Sequence, residues 1–334
     1  MPDLSLWLLV FIIILALGFG VVNGFNDAAN AIAASIGSRA LSPRRAVILA
    51  AFCNLAGAAT GTAVAKTIGK GILVPEAISY QTVVAGLMAV IVWGSVATYF
   101  GMPVSITHSY VAGMVGAGIA AVSTGAIMWG TFQRVLSSVV AAPTLGFIGS
   151  FVLMVGLLWI FRQSLPSKMR VLFSRLQWLT TAFLAYSHGK NDGQMPIGVI
   201  TMALVIYTGQ MDLWENIPWW IIILSALAIS LGTAIGGWRV IRTLGLRVTA
   251  LRPVQGFVSE FSAATVIEGA SYLGIPVSTT HCASSAIMGV GATRRLSAVR
   301  WGVARNIVAA WVLTFPICGG LGYLSASLLG RLSL

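Results

Sequence analysis

"GFNDAANAI", residues 24–32, closes an apolar run. The eighteen residues from Ser5 to Val22 carry no ionisable side chain, and then Asn23, Asn26, Asp27 and Asn30 follow within eight positions. A related stretch, "GKNDGQMPI", stands at 189–197 and shares Gly, Asn, Asp and Ile with the first at an offset of 165. A second pair follows in the same order: "GMPVSITH" at 101–108 meets "GIPVSTTH" at 274–281, with six of eight residues identical at an offset of 173. One such pair would be weak. Two different motifs repeated in order indicate a duplicated fold.

Composition sets the class. The chain of 334 residues is 57% hydrophobic and 8% charged, against about 25% charged residues in soluble domains. It reads as an all-α integral membrane protein, with spans of roughly 20 apolar residues near 4–22, 46–66, 80–100, 127–143, 144–161, 176–206, 218–238, 254–273, 301–315 and 316–331. No polar stretch is long enough for a soluble domain, so 1–334 is a single membrane domain. Asp3 in place of a basic leader argues against a cleavable signal peptide. Cys53, Cys282 and Cys318 show no metal or disulfide spacing.

The net charge of +12 does not mark a nucleic-acid partner, because it is concentrated in short loops. Arg39, Arg44 and Arg45 share one, Arg162, Lys168, Arg170 and Arg175 a second, and Arg239, Arg242, Arg247 and Arg252 a third. Basic loops face the cytoplasm, which places the N-terminus outside and the protein in the cytoplasmic membrane. Arg294, Arg295 and Arg300 fall on the opposite side in this count.

The repeat divides the chain into a first half at 1–161, a cytoplasmic connecting loop at 162–175 and a second half at 176–334. Each half is expected to hold five spans and one short apolar segment, 103–123 or 276–291. An odd number of crossings inverts one half relative to the other, as in secondary transporters whose sites lie at the repeat interface. The short segments, opened by Gly-x-Pro, read as re-entrant helical hairpins, which need a protein or water-filled surround.

A charge at the bilayer centre costs about 2.5–3.5 kcal/mol, so Asp27 and Asp192 require a compensating environment. Capping a broken helix is the plainer role for each; the repeated Asn immediately before each Asp favours a cation site. Asn26, Asp27, Asn30, Asn191, Asp192 and Glu260 are the candidate cation ligands, with Na+ considered at Asp27 and Asp192. Oxygen donors suit hard cations, and Gly24 and Gly189 are expected to let the backbone unwind. In "PVSITH" and "PVSTTH", Pro opens a helix whose first N–H groups lack intrahelical partners and attract anions. Ser105, Thr107, Ser278, Thr279 and Thr280 add hydroxyls there, so these are the candidate ligands for a small polyvalent oxyanion. Neither anion motif contains Lys or Arg; Lys190, in the second cation motif, is read as a side-wall charge. His108, His188 and His281 all lie in the motifs, as hydrogen-bonded structural residues or a proton relay.

The ordered set GFNDAANA, SHGKNDGQ, GFVSEFSAAT and twin PVSxTH resembles the inorganic phosphate transporter (PiT) family over essentially the whole chain. "GVGATRRLSAVRWGVARNIV" at 289–308 is similar to its short bacterial and archaeal members. The resemblance implies symport of inorganic phosphate with a coupling cation, Na+ or H+, no cofactor, no enzymatic activity and a homodimer in the lipid bilayer. It maps Asn26, Asp27, Asn191, Asp192 and Glu260 to the family's cation-linked positions and the five hydroxyl residues to its phosphate-binding hairpins. Met195 stands where the first motif has Asn30, so the two cation sites need not be equal. The alternatives are a symporter of another tetrahedral oxyanion such as sulfate, and a membrane-embedded metal-dependent transferase. The latter would need a second carboxylate four residues after Asp27, which the sequence lacks.

Overall fold

The computed structural model describes residues 2–331. These residues form helices without a β-strand, and the element order repeats. Each half begins with a briefly interrupted helix: α1 Pro2–Asn26 and α2 Ala28–Gly37 in the first, α8 Pro166–Asp192 and α9 Gln194–Thr208 in the second. Next come bent pairs, α3 Pro43–Ala58 with α4 Ala63–Lys70, and α10 Trp219–Ile235 with α11 Trp238–Arg242, the latter continued by a π-turn to Arg247. A long helix follows, α5 Tyr80–Phe100 or α12 Pro253–Tyr272, then a short one, α6 Ile106–Ala121 or α13 Thr279–Ala292. A helix of 32 or 31 residues ends each half: α7 Trp129–Ile160 and α14 Trp301–Arg331.

Several expectations change. The pairs 127–143/144–161 and 301–315/316–331 are single helices that run through Pro143 and Pro316, since a membrane helix tolerates proline where its surroundings re-satisfy the freed carbonyl. Helix α8 starts at Pro166, so most of 162–175 is helical rather than loop.

The short segments are not hairpins returning to one face. The start of α6 follows Gly101, whose carbonyl accepts from Thr243 Oγ1, whereas its far end approaches Leu73 and Ala126 at the opposite end of α5. Likewise α13 starts beside Asp192 and runs back toward Arg294. There Arg300 N donates to Val248 O at 2.9 Å, and Thr249 Oγ1 to Ala298 O at 3.0 Å. Ser38, Arg162, Arg170 and Arg252 also line one cavity. All four basic loops therefore share one face, including Arg294, Arg295 and Arg300. The mismatch arose because α13, between α12 and Arg294, was left out of the count.

Gly24 and Gly189 do not unwind the backbone either. A Cβ on Gly24 would lie 2.2 Å from Ile229 O, and one on Gly189 would lie 2.3 Å from Asn54 O. They are contact points where α1 meets α10 and α8 meets α3. The interruptions fall at Asp27 and Gly193 and are one residue long.

The apolar core consists mainly of two clusters, and neither follows the halves of the sequence. One joins α1, α4, α5 and α6 of the first half to α9 of the second; the other joins α8, α11, α12 and α13 to α2 of the first. Helix α14 packs on α6 and α5, and α7 on α13 and α12. Each interrupted helix thus has one arm in each cluster, and the interruptions at Asp27 and Gly193 are where the chain passes between them.

Candidate functional site

Those two crossings carry the polar motifs. Asp27, Asp192, Thr107, Thr279 and Thr280 are each at most 2% exposed, and the two carboxyl groups are electrostatic neighbours. Around Asp27, Thr280 Oγ1 donates to Oδ1 at 2.6 Å and Ile106 N to Oδ2 at 3.3 Å. Around Asp192, Thr279 Oγ1 donates to Oδ2 at 2.8 Å, and His188 Nε2 lies 3.1 Å from the same oxygen. The threonines expected to face only an anion therefore also hold the aspartates.

The asparagines repeat this geometry almost atom for atom. With each amide oriented as its neighbours require, Asn26 Nδ2 donates to Asp27 Oδ1 at 3.2 Å and to Val104 O at 3.3 Å, while Oδ1 accepts from Thr98. Asn191 Nδ2 donates to Asp192 Oδ1 at 3.0 Å and to Val277 O at 3.1 Å, while Oδ1 accepts from Ser271 at 3.0 Å. Each Asn thus ties its Asp to the extended segment that opens the short helix of its own half.

Where the motifs differ, the contacts differ. Asn30 Nδ2 donates to Thr280 Oγ1 at 2.7 Å. Its counterpart Met195 has no amide, and Thr107, the counterpart of Thr280, is buried without a partner among the described residues. Gln194 Oε1 instead accepts from Val64 N at 2.9 Å and Ala65 N at 3.2 Å, capping the start of α4. Asn23, one turn before Asp27, is buried with both amide atoms unpaired, as is Asn30 Oδ1. Sequence reading left Asn23 out of the candidate set, although its i, i+4 spacing to Asp27 was visible.

Ser105 and Ser278 are N-caps: their Oγ atoms accept from His108 N at 3.2 Å and His281 N at 3.0 Å. Each cap uses the oxygen and leaves the hydroxyl hydrogen free to donate. The other first-turn N–H groups have no helix carbonyl to bond, so both helices present a donor array toward the centre.

His108 and His281 meet edge to face with ring centroids 4.9 Å apart; His281 stacks on Trp311 at 4.0 Å, and His108 lies against Phe315 at 5.3 Å. His188 is held differently, with Nδ1 2.8 Å from Asn54 Oδ1, while Asn54 donates to Thr233 at 2.9 Å.

Glu260 is not with the other candidate cation ligands. It accepts from Thr180 at 2.7 Å, Thr181 at 3.1 Å and Gln177 at 3.2 Å. These lie on α8, 11 to 15 residues before Asp192, or roughly 16–22 Å along the helix at 1.5 Å per residue. Ser38 Oγ donates to Gln177 Oε1 at 2.8 Å, and Ser38 lines a cavity of about 780 Å³ on the basic face. Lys190 pairs with Glu268, 19% and 28% exposed, and not with either motif aspartate. Thr98, the partner of Asn26, lines another cavity of about 400 Å³ with Phe25, Tyr99 and Arg239, also toward the basic face.

Fold and centre together define a multi-pass helical membrane protein with an occluded polar core, in which carboxylates, amides and hydroxyls converge with two helix N-termini. Residues 23–322 match the family model described as "Phosphate transporter family", and the chain belongs to that family. It is 40% identical over 335 residues to a probable low-affinity inorganic phosphate transporter of Bacillus subtilis, covering 99% of each chain. It is 41% identical to one from Rhizobium meliloti, covering 96% of this chain and 97% of the relative. A solved structure titled "The sodium-dependent phosphate transporter" superposes with a TM-score of 0.89 at 30% identity, covering 97% of this chain and 99% of the other.

Proposed function

We propose that this phosphate transporter works as a cation-coupled symporter, with phosphate held between the N-termini of α6 and α13 and cations at the adjoining aspartates. The observation that carries this reading is the direct bonding of the two motif classes: Thr280 to Asp27 and Thr279 to Asp192. A cation that draws on either carboxylate releases a threonine hydroxyl, which can turn to the anion. Ser105, Ser278 and Thr107 donate alongside them. Phosphate binding and cation binding then favour each other reciprocally, as symport requires.

Sodium is the coupling ion proposed at Asp27. The unpaired oxygens of Asn23 and Asn30 beside that carboxylate are hard donors for a cation, and the solved relative is named as sodium-dependent. Asp192, with Asn191, is the second cation position. The Glu260 cluster, reached from the basic face through Ser38, is a separate cation position along the path.

The repeated element order supports two inverted halves of five crossings each, the short helix counting as one crossing. With the basic face cytoplasmic, the N-terminus is outside. The cavity beside Thr98 is the inward vestibule of an occluded state, and alternating access moves the two clusters about Asp27 and Gly193. Two copies are proposed to form a homodimer.

The test is uptake of radiolabelled phosphate into proteoliposomes with sodium and pH gradients imposed separately. Accumulation under an inward sodium gradient at equal pH supports the reading. Accumulation driven only by the pH gradient replaces sodium with the proton, and none under either gradient removes coupling altogether. Equal competition by sulfate and phosphate would favour a general oxyanion carrier.

A further inference from the structure

Beyond the transport site, the basic face carries a cavity of about 270 Å³ lined by Arg239, Arg242, Arg247 and Thr243 with Phe100 and Gly101. It shares Phe100, Gly101, Thr243 and Arg247 with a second cavity of about 510 Å³, whose other walls include Met102, Pro103, Ile307 and Leu313. No Asp or Glu lines either one. The three arginines are exposed. Arg239 lies over the Tyr99 ring and donates to Tyr99 O; Arg242 and Arg247 have no acidic partner among the described residues.

The repeat supplies an internal control. Thr243 Oγ1 donates to Gly101 O and Arg239 O, and on the opposite face Thr67 Oγ1 donates to Gly274 O and Ala63 O. Matching those bonds sets Arg239 against Ala63, Arg242 against Lys66 and Arg247 against Gly71. Of these three matched positions only Lys66 is a cation, and it is paired with Glu215 at 2.6 Å. The fold itself therefore does not need arginines at these three positions.

We propose that this double cavity is a binding site for an anionic phospholipid of the leaflet on the basic face. The arginines and Thr243 take the headgroup phosphate, because guanidinium forks match phosphate oxygens. An acyl chain lies in the groove against Met102, Pro103 and α14. The surroundings suit the bilayer interface: Phe100 is 67% exposed, Leu246 53% and Trp238 49%, and aromatic side chains favour that depth. Free phosphate would share the headgroup chemistry but has no use for the apolar groove, and it is the groove that selects lipid. Pro103 lies two residues before Ser105, so the lipid braces the segment that opens α6 and adjusts the transport site from outside it.

The experiment is native mass spectrometry of the purified full chain, delipidated and titrated with phosphatidylglycerol or phosphatidylcholine. Phosphatidylglycerol is expected to be retained selectively. A juxtamembrane basic residue contributes about a fivefold preference for anionic lipid, so Arg242→Gln with Arg247→Gln should weaken retention about thirtyfold. Arg242→Lys with Arg247→Lys, which keeps the charge, should stay within a few-fold of the parent and controls for misfolding. A large excess of inorganic phosphate should not displace the lipid. Equal retention by the Gln variant overturns the proposal. Displacement by phosphate also overturns it, assigning the cavity to the free anion, as does a cross-link between Leu313→Cys chains showing that a second copy fills the groove.

Discussion

At the scale of single residues, the unequal pairing of Thr107 and Thr280 separates two kinds of contribution. Thr280 holds Asp27 and receives Asn30, all three buried. Thr280→Val leaves a buried carboxylate short of a donor, which costs about 1–3 kcal/mol. Denaturant unfolding should register that loss together with failed uptake. Thr107 has no hydrogen-bond partner among the described residues, so Thr107→Val should leave unfolding within about 0.5 kcal/mol of the parent. It should still raise the phosphate Kd roughly tenfold, for the loss of one hydrogen bond to a charged oxyanion. Equal effects of the two substitutions on stability would contradict this division. Asp27→Asn and Asp192→Asn, assayed in proteoliposomes, are each expected to abolish coupled uptake while the protein still inserts. Near-normal accumulation by both would reduce the aspartates to helix-breaking residues.

At the scale of elements, the caps of α6 and α13 carry two duties. Ser105→Ala and Ser278→Ala should each cost about 1 kcal/mol of helix stability, and should weaken phosphate binding as well if the free O–H is used. Thermal unfolding with and without phosphate separates the two: a Tm lowered equally in both conditions would leave the serines as caps alone. These caps were legible from sequence, since Pro-Val-Ser before an apolar helix is a local signal that needs no tertiary knowledge. So were Asp27 and Asp192, whose cost in lipid singles them out. Glu260 was legible as an intramembrane acid, but its separation from the centre was not, because Gln177, Thr180 and Thr181 are 79 to 83 residues away in sequence. The prolines misled for the opposite reason. Pro143 and Pro316 are strong local breakers, and only packing shows that α7 and α14 continue through them. At 32 residues α7 extends about 48 Å, beyond the roughly 30 Å hydrocarbon core.

At the scale of the whole molecule, the gathering of every basic loop on one face sets the direction in which the membrane potential acts. If bound cations exceed the charge of the phosphate they accompany, each turnover carries net positive charge toward that face. One such charge gains about 2.3 kcal/mol per 100 mV, which amounts to roughly fiftyfold more accumulation. Vesicles clamped with valinomycin and a potassium gradient, inside negative against zero, should show that ratio. Identical accumulation at the two potentials would mean an electroneutral cycle.

The exchange of α2 and α9 between the two clusters, with α14 returning to α6, also has a consequence in time. Helix α6 ends at Ala121, and the helix that covers it begins at Trp301. The ribosome adds the intervening 179 residues in roughly 9–36 s at 5–20 residues per second. For that interval α6 sits in the membrane with Gly113 and Gly116 lacking the α14 backbone, at Gly322 and Gly319, against which they pack, a state that quality-control proteases can sample. Truncation before Trp301 should make this waiting state permanent. Pulse-chase labelling is expected to show rapid degradation of the shortened chain, and its rescue when α14 is supplied as a separate polypeptide.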